Sequence, residues 1–216
     1  MKYTPTLFNE EMSKTRFNGL KTETRRIILP QPDSITGTKS GGFLAKKDNL
    51  GYYIKCPYGD KGDFIWVKEA YYAYGRWEKS GLTDTGKQAW RFVDLTKQFG
   101  FNYKYNNVLE MFKKTCLNPA YRVETLHWEK RNRLFMPRRA ARFIDEIAGI
   151  HIERVQDITV QGAYNEGISY IIKQGEPDNF IDRFEQLWDS INKKRGYGWN
   201  KNPWVFVIKF KIKEKQ

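Results

Sequence analysis

The chain has 216 residues, 40% of them hydrophobic and 16% aromatic, enough for one packed domain with a large insertion. Thirty-eight Lys and Arg against 25 Asp and Glu give a net charge of +13, which points to an anionic partner, nucleic acid or a nucleotide. No apolar run reaches the length of a membrane span, and the N-terminus lacks the apolar core of a signal peptide, so no membrane partner and a cytoplasmic location are expected.

Tyr3 to Leu7 reads as a first strand, placed at an edge by Pro5. Asn9 to Asn18 reads as a short helix with an Asn cap, ended by Gly19. Gly19-Leu-Lys-Thr-Glu-Thr-Arg-Arg26 then packs a lysine, two hydroxyls, a carboxylate and two guanidiniums into a helix-to-strand junction. The strand runs through Leu29 and ends at Pro30-Gln-Pro32. Asp33 to Asn49, rich in Gly, Ser, Thr and Lys, reads as a loop, and Gly51 to Lys55 as a short strand. Pro57 to Asp63 is a turn by its Gly and Asp content. Phe64-Ile-Trp-Val67 is a continuous apolar run, hence a buried strand closed by Lys68 and Glu69.

Gly75 to Pro119 mixes aromatics, lysines and glycines without a clear period and reads as an irregular insertion. Tyr121 to Leu126 is a predicted strand. Arg131, Arg133, Arg138, Arg139 and Arg142 form the densest basic stretch, suited to phosphate contacts. Phe143 to Ala148 and Ile150 to Val155 read as a strand pair or one bent strand with a bulge. Asp157 to Ile168 reads as a helix capped by Thr159 and ended near Gly167. Phe180, Phe184, Leu187, Trp188 and Ile191 recur at helical spacing, a stripe expected in the core. Trp204 to Ile212 is the last strand.

Many short strands, few helices and no βαβ alternation argue for an α+β fold, a small mixed β-barrel with peripheral helices. Cys56 and Cys116 form no disulfide framework, and with His127 and His151 they lack zinc-finger spacing. No metal and no cofactor are expected. Gly59-Asp-Lys-Gly62 lacks the spacing of a phosphate loop, which excludes a P-loop NTPase.

Several segments, in order, resemble the ASCH family of the PUA-like superfamily, in particular its phage and prophage members. They are Leu7 to Met12, Gly19 to Arg26, Cys56 to Asp63 with Trp66 to Glu69, Met136-Pro-Arg138 with Ala140 to Arg142, Val155 to Ile158, Ala163 to Gly167, Leu187 to Ile191, and Asn202 to Val205. The resemblance implies a PUA-like barrel over 1–216 with an insertion at about 75–119, and an RNA-associated role. One bacterial branch is an amidohydrolase that deacetylates N(4)-acetylcytidine with a Lys, a Thr three residues on, and a Glu from a later helix. The matching positions here are Lys21, Thr24 and Glu166. The insertion departs from that compact branch.

The chemistry needs a lysine depressed in pKa to take a proton from threonine, and a carboxylate to orient it or protonate the leaving amine. Arg25 and Arg26 supply charge that lowers a lysine pKa. With Tyr58, Arg138, Arg139 and Arg142 they are the expected nucleic-acid contacts. On a straight strand positions 21 and 24 face opposite sides, so either the chain bends or the lysine stem reaches around. Thr22 is a rival hydroxyl and Glu69 a rival carboxylate. The alternatives to hydrolysis are a non-catalytic RNA or modified-base binder and a phage nuclease.

Overall fold

The computed structural model describes residues 1–37, 42–105, 125–168 and 179–213. The chain is mixed α+β, mostly strands in three sheets with few helices, and among the described residues no sheet closes into a barrel. Its contacts divide it into two compact units. One comprises Met1–Thr6, Glu11–Trp66 and Arg142–Gln216, the other Leu7–Glu10 and Val67–Ala141.

The first unit is built on a five-stranded sheet. Its strands are β1 (Tyr3–Leu7), β2 (Glu23–Ile27), β6 (Phe64–Lys68), β11 (Ile144–Arg154) and β12 (Trp204–Lys211), in the order β1-β6-β11-β12-β2. β11 is the single bent strand that the sequence allowed, with its register shift between Ile147 and Gly149. β12 lies inside the sheet, which explains why Val205, Phe206, Val207 and Ile208 are all buried: both faces are covered. Helices α1 (Glu10–Phe17), α2 (Val160–Asn165) and α3 (Phe180–Asn192) accompany this sheet. Phe180, Phe184 and Trp188 of α3 pack with Val155, Ile158, Ala163, Val205 and Val207 into one core cluster, as their spacing predicted, whereas Ile191 at the end of the same stripe is exposed.

Two local features set up the junction around Lys21. Gly19 has φ 79° and ends α1, and the Leu20 and Lys21 amides both donate to the Thr15 carbonyl. Thr159 caps α2 by accepting from the Gly162 amide, and Gly167 follows with φ 93°. A Cβ on Gly167 would stand 2.4 Å from Thr15 Oγ1 and 3.2 Å from Lys21 Cβ. The glycine therefore allows the end of α2 to lie against the junction, where the Thr22 amide donates to the Asn165 carbonyl.

The segment expected as a loop over Asp33 to Asn49 instead supplies two strands. β3 (Ser34–Gly37) and β4 (Phe43–Lys47) pair with each other and with β5 (Leu50–Ile54). Asp48 and Asn49, both at positive φ, form the two-residue turn between β4 and β5.

The second unit holds the other correction. Of the span expected as irregular, Gly75 to Tyr105 is described and is largely regular, while 106–119 lie outside the described residues: β7 (Tyr71–Leu82) and β8 (Gln88–Asp94) form a hairpin, flanked by β9 (Lys104–Tyr105) and β10 (His127–Arg131) on β7. Aromatic residues on both faces of β7 erase the polar-apolar alternation by which a strand is read. Of the strand expected over Tyr121 to Leu126, positions 121–124 lie outside the described residues, as does Cys116. Pairing starts at His127.

Candidate functional site

Lys21 lies two residues before β2 and is 0% exposed. Its stem folds along its own chain, so that Nζ donates to the Glu23 carbonyl at 2.9 Å. The lysine stem thus bends back toward the strand that carries Thr24. The same ammonium donates to the Glu166 carbonyl at 2.8 Å and to Glu166 Oε2 at 2.5 Å. Glu166 closes α2 and is 3% exposed. Two residues separated by 145 positions thus form a sealed ion pair.

Arg25 extends the pair into a network. Its Nη1 lies 3.4 Å from Glu166 Oε1 and 3.7 Å from Glu23 Oε2, and its Nε donates to Glu153 Oε1 at 2.8 Å. The guanidinium also lies 5.7 Å from the Phe184 ring centroid. Glu153 in turn meets His151 Nε2 at 3.2 Å.

The electrostatics follow from burial and these partners. Burial pushes the Lys21 pKa down; Glu166 opposes that, while Arg26 and Arg25 add to it. Burial pushes Glu166 up, but Lys21, Arg25 and Arg26 outweigh it and hold the carboxyl below its usual range. Glu153 is also held low: His151 and Arg25 outweigh its burial.

A cavity of about 380 Å³ opens beside this network, within the size range of small-ligand sites. Thr24, Arg25, Arg26, Tyr58 and Glu166 all line it, with Phe184, Leu187 and Trp188 of α3 as an apolar wall. Thr22 does not line it. Arg26 Cζ lies 5.8 Å from the Tyr58 ring centroid, so two residues expected as separate contacts meet in one wall.

The remaining expected contacts are absent from the cavity lining. Arg142 is not a surface cation: it is 9% exposed, with its guanidinium over the rings of Phe17 and Phe143. Arg139 is held in the second unit by Asp94 at 3.3 Å and Tyr103 at 3.1 Å. Arg131 lies over Trp77 and Phe92, Arg133 donates to the Phe8 carbonyl, and Arg138 is exposed. Rings hold Arg131 and Arg142, a carbonyl holds Arg133, and a carboxylate and a hydroxyl hold Arg139. Glu69 is buried in the second unit, outside the cavity lining. Among the described residues no group of three His, Cys, Asp or Glu could hold a metal ion.

Glu23 was visible only as part of the polar cluster, and Glu153 and the α3 wall carry no functional signal of their own in the sequence. The stripe of α3 was visible there, and it reads as core. No family model, curated protein or solved structure matches the chain.

Proposed function

We propose that the cavity binds the base of a modified nucleoside and that Lys21, Thr24 and Glu166 hydrolyse an acyl group from it, as on N(4)-acetylcytidine. The observation that carries this reading is the buried Lys21–Glu166 pair beside a cavity lined by Thr24. It agrees with the ASCH resemblance, in which the five-stranded sheet belongs to a PUA-like barrel.

The pair shares one exchangeable proton. With that proton on Glu166, the Lys21 amine accepts the proton of Thr24 as Oγ1 attacks the acyl carbon. The carbon–nitrogen bond breaks as Glu166 protonates the leaving amine of the base. Water then cleaves the threonyl ester, releases the carboxylic acid and restores the hydroxyl. Arg25 faces the carboxylate throughout and favours its return to the charged form. Tyr58 with Arg26 offers a stacking surface for the base.

The competing reading is a binder without turnover. It is favoured by the three acceptors around Lys21 Nζ, which suit an ammonium and oppose a free amine. Incubating the protein with N(4)-acetylcytidine, and following cytidine and acetate together with nucleoside affinity, separates the two. Affinity without acetate leaves the binder; neither affinity nor acetate removes both.

A further inference from the structure

The second unit presents a surface that the cavity chemistry does not use. Register places Tyr72 of β7 between Lys104 of β9 and Lys130 of β10, and Tyr74 beside Trp128. Directly paired residues point to the same side of a sheet, so these five side chains share one face. Lys104 Nζ lies 4.0 Å from the Trp128 ring centroid, which agrees with that assignment. Further along the hairpin, Arg76 and Arg91 continue the face and share the carboxylate of Glu78.

Two phenyl rings stand on this face. Phe99 and Phe101 meet Tyr74 edge-on at 5.5 and 5.0 Å, and are parallel to each other within 12°. Phe101 also packs against Trp128 at 5.7 Å. Both phenylalanines remain exposed, at 47% and 41%.

The rings are held by a fixed turn. Phe99 N–H donates to the Leu95 carbonyl and Phe101 N–H to the Thr96 carbonyl. Thr96 is fully buried, and its hydroxyl donates to Asp94 Oδ1 and accepts from the Tyr74 amide. Exposed rings on an anchored turn lose little freedom when a partner settles on them.

We propose that this face is a binding site for single-stranded nucleic acid, with bases stacking on Phe99 and Phe101 and phosphates following Lys104, Lys130, Arg76 and Arg91. Charge decides the occupant. Those four cations share the face with the rings, and among the described residues of that face the carboxylate paired with them is Glu78, so the face complements a polyanion with aromatic faces. The site does not depend on the Lys21–Glu166 cavity and stands or falls without it.

The test is fluorescence anisotropy of the full chain with labelled oligouridine and oligothymidine of about twelve nucleotides, at several salt concentrations. Phe99→Ala with Phe101→Ala is expected to weaken binding by about tenfold or more with the salt slope unchanged. Lys104→Gln with Lys130→Gln leaves the rings in place and is expected to reduce the log-log salt slope by roughly 1.4, about 0.7 per phosphate contact. Ring-dependent binding of either strand supports the site, and the ratio of the two affinities tells whether RNA or DNA is its ligand. No binding at low salt would overturn the proposal and assign the rings to a protein contact. Binding that ignores both double variants, or duplex bound as tightly as single strand, would overturn it too.

Discussion

Lys21 Nζ and Glu166 Oε2 stand 2.5 Å apart with both side chains buried, and the lysine makes two further bonds to backbone carbonyls. Such a pair is costly to break from one side. Lys21→Met leaves a buried carboxylate facing only Arg25, and a loss of about 3–5 kcal/mol in urea denaturation is expected. Lys21→Met with Glu166→Leu removes both charges and is expected to recover most of that loss. A double variant as unstable as the single one would show that the lysine stem, not the ion pair, carries the stability.

Activity separates the same residues differently. Under the hydrolytic reading Lys21→Arg loses turnover of N(4)-acetylcytidine, because a guanidinium does not act as a base. Thr24→Ser keeps part of it and Thr24→Val none. Glu166→Gln loses about 100-fold or more, as expected of a proton-transfer group. Under the binding reading, nucleoside affinity survives Lys21→Arg and Thr24→Val. The pattern across the four variants, with acetate release and affinity measured side by side, discriminates the readings even where single values are small.

The acid limb of stability has a definite sign. Glu166 and Glu153 both have folded pKa values below the ordinary carboxylate value. Each contributes stability that is complete above about pH 4.3, the unfolded value, and is lost as pH falls through the lower folded value. Asp145 runs the other way: burial raises it more than its Arg16 partner lowers it, so its contribution is greatest below the unfolded value and falls as pH rises. Glu166→Gln is therefore expected to flatten the loss of stability below about pH 4.3, read from melting temperature against pH. An unchanged acid limb would show that folding does not lower the Glu166 pKa.

Much of the first unit was legible because its signals are local. The Asn-to-Gly span of α1, the Thr159 cap and the stripe of α3 each depend on residues within a few positions of one another. So does the dense polar cluster that marks the junction. Partners far apart in the chain were not legible from spacing, and only the family resemblance set Lys21 beside Glu166. Arg16 stacks on Phe143 and pairs with Asp145, and Arg25 finds Glu153, but no spacing rule joins α1 or β2 to β11. The arginine run failed for a related reason: a guanidinium serves equally as a phosphate contact or as a lid on an aromatic ring, and sequence does not say which. Arg142 took the second role.

Gly162 in α2 sets two effects against each other. In a helix interior, alanine is better than glycine by up to about 1 kcal/mol. Yet a Cβ on Gly162 would lie 2.8 Å from Arg25 Nη2 and 3.1 Å from Ile158 Cγ1. The end of a free arginine would swing aside, but this one is 7% exposed and held by Glu153 and Glu166. Gly162→Ala is therefore expected to lower the melting temperature despite the better helix former. The cause can be isolated. In an Arg25→Met background the guanidinium is gone, and Gly162→Ala is expected to become neutral or stabilising. A double-mutant cycle in urea should give a coupling of about 1–2 kcal/mol, in the range seen for residues in contact. A coupling near zero would mean that Ile158, not Arg25, sets the cost. It would also mean that the glycine does not help place Arg25 against Glu166 at the cavity.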